Sequence, residues 1–159
     1  MSSQINLNDD VVAIKFSMFY RGKRSTRPRH QEIPAVFVDR SLSQLAFYNG
    51  SRPWTNEPLS FIYPSILQNG SESDRIRPSE KWAAYINPCT GIGLGVFSPN
   101  SELMTSYRVG RNDVNPAKSD TSYLAPLITR FLIPNTLYTY DVYLKIGTLE
   151  EIRFAFSKI

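Results

Sequence analysis

Arg27, Arg29, His30 and Glu32 lie in one short stretch, "RGKRSTRPRHQE" (21–32), which brings together two guanidinium forks, the chain's single imidazole and a carboxylate. Arginine forks read a carboxylate or sulfate through paired charge-assisted hydrogen bonds, and an imidazole or carboxylate beside them can move a proton. The combination suits an acidic sugar, with Arg27 or Arg29 reading the uronate and His30 or Glu32 transferring the proton. The plainer reading is a solvated loop in which Glu32 is pinned to Arg27 or Arg29. Nucleic acid fits less well, because it calls for basic residues interleaved with stacking aromatics, and no aromatic occurs between Tyr20 and Phe37. The net charge is only +4, and five of the 18 basic residues fall between 21 and 29. Positive charge is therefore local rather than spread along a face that could follow phosphates.

A second set is aromatic. Trp54 in "RPWT" and Trp82 in "EKWAAY" each stand beside a charged residue where a loop meets a strand, as do Tyr48, Tyr85 and Tyr107, the last followed by Arg108. A ring can serve as a platform for the apolar face of a pyranose while Arg, Asn, Asp or Glu take its hydroxyls. Equally, buried Trp and Tyr fill cores. Trp54, inside a loop, favours the platform more than Trp82 does.

Several chemistries are excluded or left without a signal. Cys89 and His30 are each the only residue of their type, so neither an intrachain disulfide nor a Cys/His zinc site can form. Glu32, Asp39, Glu57, Asp74, Glu80 and Asp120 are available for paired-carboxylate glycoside chemistry, but spacing nominates no pair. "NDVNPAKSD" (112–120) lacks the glycine and terminal glutamate of an EF-hand loop and reads as turn. "GIGLGV" has no third glycine in phase for a dinucleotide fingerprint. No metal and no cofactor is expected. The start, "MSSQINLNDD", has neither the basic end nor the apolar core of a signal peptide, and no run approaches the ~20 apolar residues that span a membrane. A soluble chain with no membrane partner is expected.

The elements that must position these residues read as strands. Aromatic residues make up 13% of the chain, prolines number 11, and apolar runs are short and punctuated. "VVAIKFSMFY" (11–20) predicts a strand buried on nearly both faces. "IPAVFV" (33–38) and "LSQLAFY" (42–48) predict neighbouring strands joined by "DRS". "WAAYIN" and "IGLGVFSP" around "PCTG" form the clearest hairpin signal, with Gly93 and Gly95 leaving a flat patch for an approaching ring. "LYTYDVYLKIG" (137–147) alternates as a half-buried strand. "TLEEIRFAFSKI" breaks the pattern: Thr148 and Glu151 fit a capping box, and Leu149, Ile152, Phe156 and Ile159 share one helical face. Long polar stretches at 65–81 and 110–120 read as loops.

The strings "QEIPA", "YNGSRPWT", "WAAY", "GLGVFSP" and "GTLEEIR", in this order over most of residues 30–156, resemble a β-rich region of larger exported bacterial proteins that accompanies sugar-processing modules. The resemblance implies a carbohydrate-linked β-sandwich, export as part of a longer precursor and neighbouring domains as partners. It carries over no catalytic residue.

The expected fold is mainly β, an antiparallel two-sheet sandwich of jelly-roll-like type with eight or nine strands and a short C-terminal helix. Residues 1–159 form one domain, with 1–9 a flexible extension. The expected function is carbohydrate binding, with a preference for acidic glycans, through Arg27, Arg29, His30, Glu32, Trp54, Trp82, Tyr107 and Arg108. A small enzyme acting on an acidic polysaccharide and a structural domain without ligand are the alternatives. Convergence of the 27–32 segment, Trp54 and Arg108 on one concave patch separates the first two from the third.

Overall fold

The computed structural model describes residues 2–8, 10–39, 41–62, 74–108 and 121–159. Twelve strands and one helix lie within them: β1 Ser2–Asn8, β2 Val11–Tyr20, β3 Arg29–Glu32, β4 Val36–Asp39, β5 Gln44–Phe47, β6 Ser60–Ile62, β7 Asp74–Ile76, β8 Trp82–Ile86, β9 Ile92–Phe97, β10 Leu103–Arg108, β11 Thr121–Arg130, β12 Thr136–Thr148 and α1 Leu149–Phe156. Two antiparallel sheets result. The larger runs β1-β2-β12-β9-β8-β5-β6; the smaller runs β3-β11-β10-β7, with β4 also paired to β11. This is the mainly β two-sheet sandwich with a terminal helix that the strand pattern predicts. The strand number exceeds the expected eight or nine because several strands have only three or four residues.

Alternation along each strand decides which layer a residue joins. On β8, Ala83 and Tyr85 face the smaller sheet and pack with Val96, Met104, Leu124 and Val142, all buried. The Tyr85 hydroxyl crosses the sandwich to share a 2.6 Å hydrogen bond with Ser106 Oγ. The alternate residues of β8, Trp82, Ala84 and Ile86, face the other way and are covered by Ile152 and Phe156 of α1. The molecule thus has three layers over its middle: α1, the larger sheet and the smaller sheet.

The capping box at Thr148 starts α1 as expected: Glu151 N donates to Thr148 Oγ1 at 3.3 Å, and Thr148 N donates back to Glu151 Oε2 at 2.8 Å. Ile152 and Phe156 form its buried face, whereas Ile159 lies beyond the helix and is exposed. Gly95 makes the close approach possible, since a Cβ there would stand 2.9 Å from the Phe156 ring. The β8–β9 hairpin closes through Asn87 and Gly91, with Gly91 N donating to Asn87 O at 2.8 Å and Gly91 at φ 72°. Cys89 is exposed in that turn.

Four expectations are corrected. β4 and β5 are not neighbours: the chain crosses between them from the smaller sheet to the larger. Residues 2–8 are not an extension but a strand paired along its length with β2, from Ser2 opposite Ser17 to Asn8 opposite Val11. β2 is not buried on both faces; Val11 alone is fully buried, because β2 lies one strand from the sheet's margin. Of the predicted loop at 65–81, residues 65–73 lie outside the described residues while Asp74–Ile76 form strand β7 instead, paired with β10; the predicted loop at 110–120, with the 112–120 turn, also lies outside the described residues.

Candidate functional site

The loop between β5 and β6 folds over the helix side of the larger sheet, where a buried carboxylate holds it. Glu80, in the segment leading into β8, has a side chain with no exposed surface, and each of its oxygens accepts two hydrogen bonds. Oε1 takes the Trp54 backbone N–H at 2.5 Å and Arg153 Nη2 at 2.6 Å. Oε2 takes Trp82 Nε1 at 2.8 Å and Arg153 Nε at 3.0 Å. The arginine contact is the two-pronged fork that gives such pairs their strength and direction. Arg153 comes from α1, Trp82 from β8 and Trp54 from the loop, so one carboxylate joins three separate elements.

Around this hub the arginine also stacks. Its guanidinium carbon stands 5.1 Å from the Tyr48 ring centre, a cation–π contact. Tyr48 is buried, and its hydroxyl donates to Glu57. Trp54 has φ 63°, which is unusual for a bulky side chain; its N–H held by Glu80 accounts for the posture. The indole is turned outward, 42% exposed.

Beside it lies a shallow cleft of about 250 Å³. Trp54, Thr55 and Asn56 form one wall. Glu150, Arg153, Phe154 and Ser157 of α1 form the other. Phe154 is 65% exposed, with Lys158 Nζ 4.8 Å from its ring centre, so the cleft is bordered by an aromatic residue from each element together with an amide, hydroxyls and a carboxylate. Because all four acceptor positions of Glu80 are occupied, it positions the cleft and has no free acceptor for a substrate proton.

The sequence-predicted residues fall into separate places. Trp54 lines the cleft. Trp82 does not: it is wholly buried under α1, so its face fills the core and is not open to a ligand, a correction to its predicted binding role. Arg27, Arg29, His30 and Glu32 lie on the smaller sheet or the loop before it, all exposed. His30 Nδ1 is 2.7 Å from Thr129 Oγ1. Glu32 accepts from the Tyr123 hydroxyl at 3.1 Å instead of pairing with Arg27 or Arg29. Both side chains are on the sheet face turned away from the core, along with the Phe37–Tyr123 ring pair at 5.5 Å. The preceding loop is tethered, since Thr26 N donates to Leu132 O and Leu132 N to Thr26 Oγ1, each at 3.0 Å. Tyr107 and Arg108 are placed by backbone only, opposite Tyr123 and Ser122.

Trp54 and the 27–32 segment therefore stand on opposite outer sides of the sandwich and form no common patch, the arrangement expected of a structural domain, so that a sugar site has to rest on the Trp54 side alone. Between the layers, Arg130 lies 5.1 Å from the ring centre of Tyr140, whose hydroxyl donates to Gln31. Burial pushes the Tyr140 phenol up, an effect Arg130 opposes and Tyr138 adds to. Among the described residues, no three His, Cys, Asp or Glu side chains group as metal ligands, and no helix is long and apolar enough to cross a membrane. Sequence reasoning missed Arg153, Asn56, Glu150 and Phe154. The available signal was Glu80 two residues before a tryptophan, a charged residue that a buried strand start tolerates only when paired.

No protein-family model and no curated protein sequence matches the chain. Solved structures do. A protein of Escherichia coli K12 provisionally described as an aldose 1-epimerase superposes with a TM-score of 0.59 at 13% identity, over 92% of this chain and 60% of that one. A galactose mutarotase related enzyme from Lactobacillus acidophilus gives 0.54 at 9% identity, over the same shares. At such identities the likeness is one of fold: the chain shares a two-sheet β-sandwich with these structures. The chain spans about 60% of the length of these two structures.

Proposed function

We propose that this chain is a carbohydrate-binding β-sandwich that takes one pyranose ring in the cleft between the Trp54 loop and α1. The observation that carries the reading is Trp54, an exposed indole whose backbone N–H is held by Glu80, which borders one cleft with Asn56, Glu150, Phe154 and Ser157. An aromatic plane fits the C–H face of a sugar, and the amide, carboxylate and hydroxyls fit its ring hydroxyls. The cleft is slightly smaller than the usual ligand pocket of roughly 300–1,000 Å³, which suits a single ring. Sugar as the ligand class is supported by the fold shared with proteins named for aldose epimerase and galactose mutarotase, and by the motif resemblance to exported sugar-processing proteins.

Binding suits the cleft better than glycoside chemistry, because Glu80 has no free acceptor and Glu150 is then a lone carboxylate in the lining where a pair is needed. A neutral sugar suits it better than an acidic one: Arg153 is neutralised by Glu80, and Glu150 would repel a uronate. The test is calorimetric titration of neutral and uronic-acid pyranoses into the wild-type chain, into Trp54→Ala and into Arg27→Ala/Arg29→Ala. The expected result is binding of a neutral ring that Trp54→Ala weakens at least about tenfold and the double arginine variant leaves intact. Uronate binding lost with the two arginines would move the site to the 21–32 segment, and no saccharide binding at all would refute the reading.

A further inference from the structure

A sheet margin exposes a row of unpaired backbone donors and acceptors, and proteins protect such margins with charge, shortness or proline. Among the described residues, three of the four margins are protected in this way. β6, one end of the larger sheet, has three residues. β3, at one end of the smaller sheet, carries Arg29, His30 and Glu32, and its neighbour on the same side of β11, β4, ends in Asp39. β7, at the other end, has three residues of which two are Asp74 and Arg75. β1 is the exception. Its seven residues, "SSQINLN", include no charge and no proline, and they pair with β2 in unbroken register.

The same strand presents apolar surface. Ile5 is opposite Ile14 and Leu7 opposite Val12, on the face that Leu144 continues beyond the smaller sheet's reach. Ile5 is 66% exposed, Leu7 74% and the nearby Ile146 70%. Leu7, Val12, Leu94, Leu144 and Ile146 line a shallow hollow of about 340 Å³ there, with Asp10 and Lys145, themselves paired at 3.9 Å, at its rim on the side away from the free margin of β1.

We infer that β1 is a self-association edge, on which a second copy of this chain adds its own β1 antiparallel about a two-fold axis. The charge pattern selects this occupant. At an isologous contact every residue meets a residue of its own kind, so any charged side chain near the axis would face a like charge. In a chain of net charge +4, β1 and β6 are the described margin strands free of charge, and of the two only β1 is long enough to pair over seven residues. A partner chosen for its charge would find nothing to read there. Centring the axis on Ile5 pairs all seven residues, sets Ile5 against its copy and lays Leu7 beside Ser3 of the other chain. The larger sheets then run continuously through both molecules.

The test is sedimentation velocity of the chain from micromolar to near-millimolar concentration, with Ile5→Lys as the disrupting variant. Ile5 is exposed, so the variant should keep the wild-type circular dichroism spectrum. The expected result is a concentration-dependent dimer whose dissociation constant Ile5→Lys raises at least about tenfold, because two like charges then meet on the axis. As a second measurement, Ile5→Cys in a Cys89→Ser background should cross-link to a dimer under mild oxidation, whereas Phe154→Cys in the same background should not. A wild type that stays monomeric throughout, a dimer indifferent to Ile5→Lys, or equal cross-linking at both positions would overturn the inference.

Discussion

Replacing Glu80 by glutamine preserves shape while changing what the Trp54 loop and α1 hang on. The carboxylate accepts four hydrogen bonds, two from Arg153, one from the Trp54 backbone and one from the Trp82 indole. A carboxamide turns an N–H₂ toward donors on one of its two sides, so two bonds are lost whichever way it sits. The guanidinium is left without its counter-charge. Breaking a buried pair from one side costs ~3–5 kcal/mol. Arg153 keeps 19% of its side-chain surface exposed and can recover some hydration, which places Glu80→Gln near the lower end, at ~3 kcal/mol. In a chain of this size that corresponds to a fall in Tm of roughly 6–12 °C. Arg153→Met should cost more, ~4–5 kcal/mol, because the charge it strands has no exposed surface at all. Urea denaturation followed by tryptophan fluorescence measures both, and the double variant closes a cycle expected to show coupling above ~2 kcal/mol. Glu80→Gln within ~0.5 kcal/mol of wild type, or additive single variants, would refute the view of Glu80 as the hub.

Thr105 Oγ1 is buried without a hydrogen-bond partner, so Thr105→Val, which keeps the shape, should be neutral or stabilising by up to ~1 kcal/mol; a clear loss of stability in denaturation would show that the hydroxyl is satisfied. Glu151 is held below the ordinary carboxylate value, first by the Thr148 backbone N–H and then by its hydroxyl, with Lys145 adding and burial opposing. A depressed folded-state value contributes stability above the unfolded carboxylate's range and loses it as pH falls through the folded one. The stability difference between wild type and Glu151→Gln should therefore shrink on acidification, as read by thermal melts across the acid range, and a difference constant with pH would contradict the capping account.

What the sequence made legible was local. Period-2 alternation identified β12, the proline and glycine of "PCTG" identified the β8–β9 hairpin, and Thr148 with Glu151 identified the start of α1, each from residues within a few positions of one another. Alternation says which way a side chain points but not which sheet its strand joins. That is why "IPAVFV" and "LSQLAFY" read as neighbours when they lie in different sheets. β1 was illegible for another reason: Ser and Asn have poor strand propensity, and the pairing comes from β2. At the candidate site, Trp54 stood out because a loop tryptophan is conspicuous. Arg153 reads locally as a helix residue, and its partner lies 73 positions earlier. The 21–32 cluster stood out for density of charge, which the fold spends on an exposed margin and its tethered loop.

The place of β12 has a consequence for how the chain is made. It sits between β2 and β9 in the larger sheet yet follows every other described strand in sequence. As the polypeptide leaves the ribosome, the β1–β2 hairpin and the β9-β8-β5-β6 group can each assemble, but nothing joins them until residues 136–148 emerge. Until then β2 and β9 present unprotected inner margins, and only the following residues, 149–156, cover Trp82 and bring Arg153 to Glu80. Nascent chains stalled before β12 should therefore be the species that chaperones hold and that aggregate when unattended.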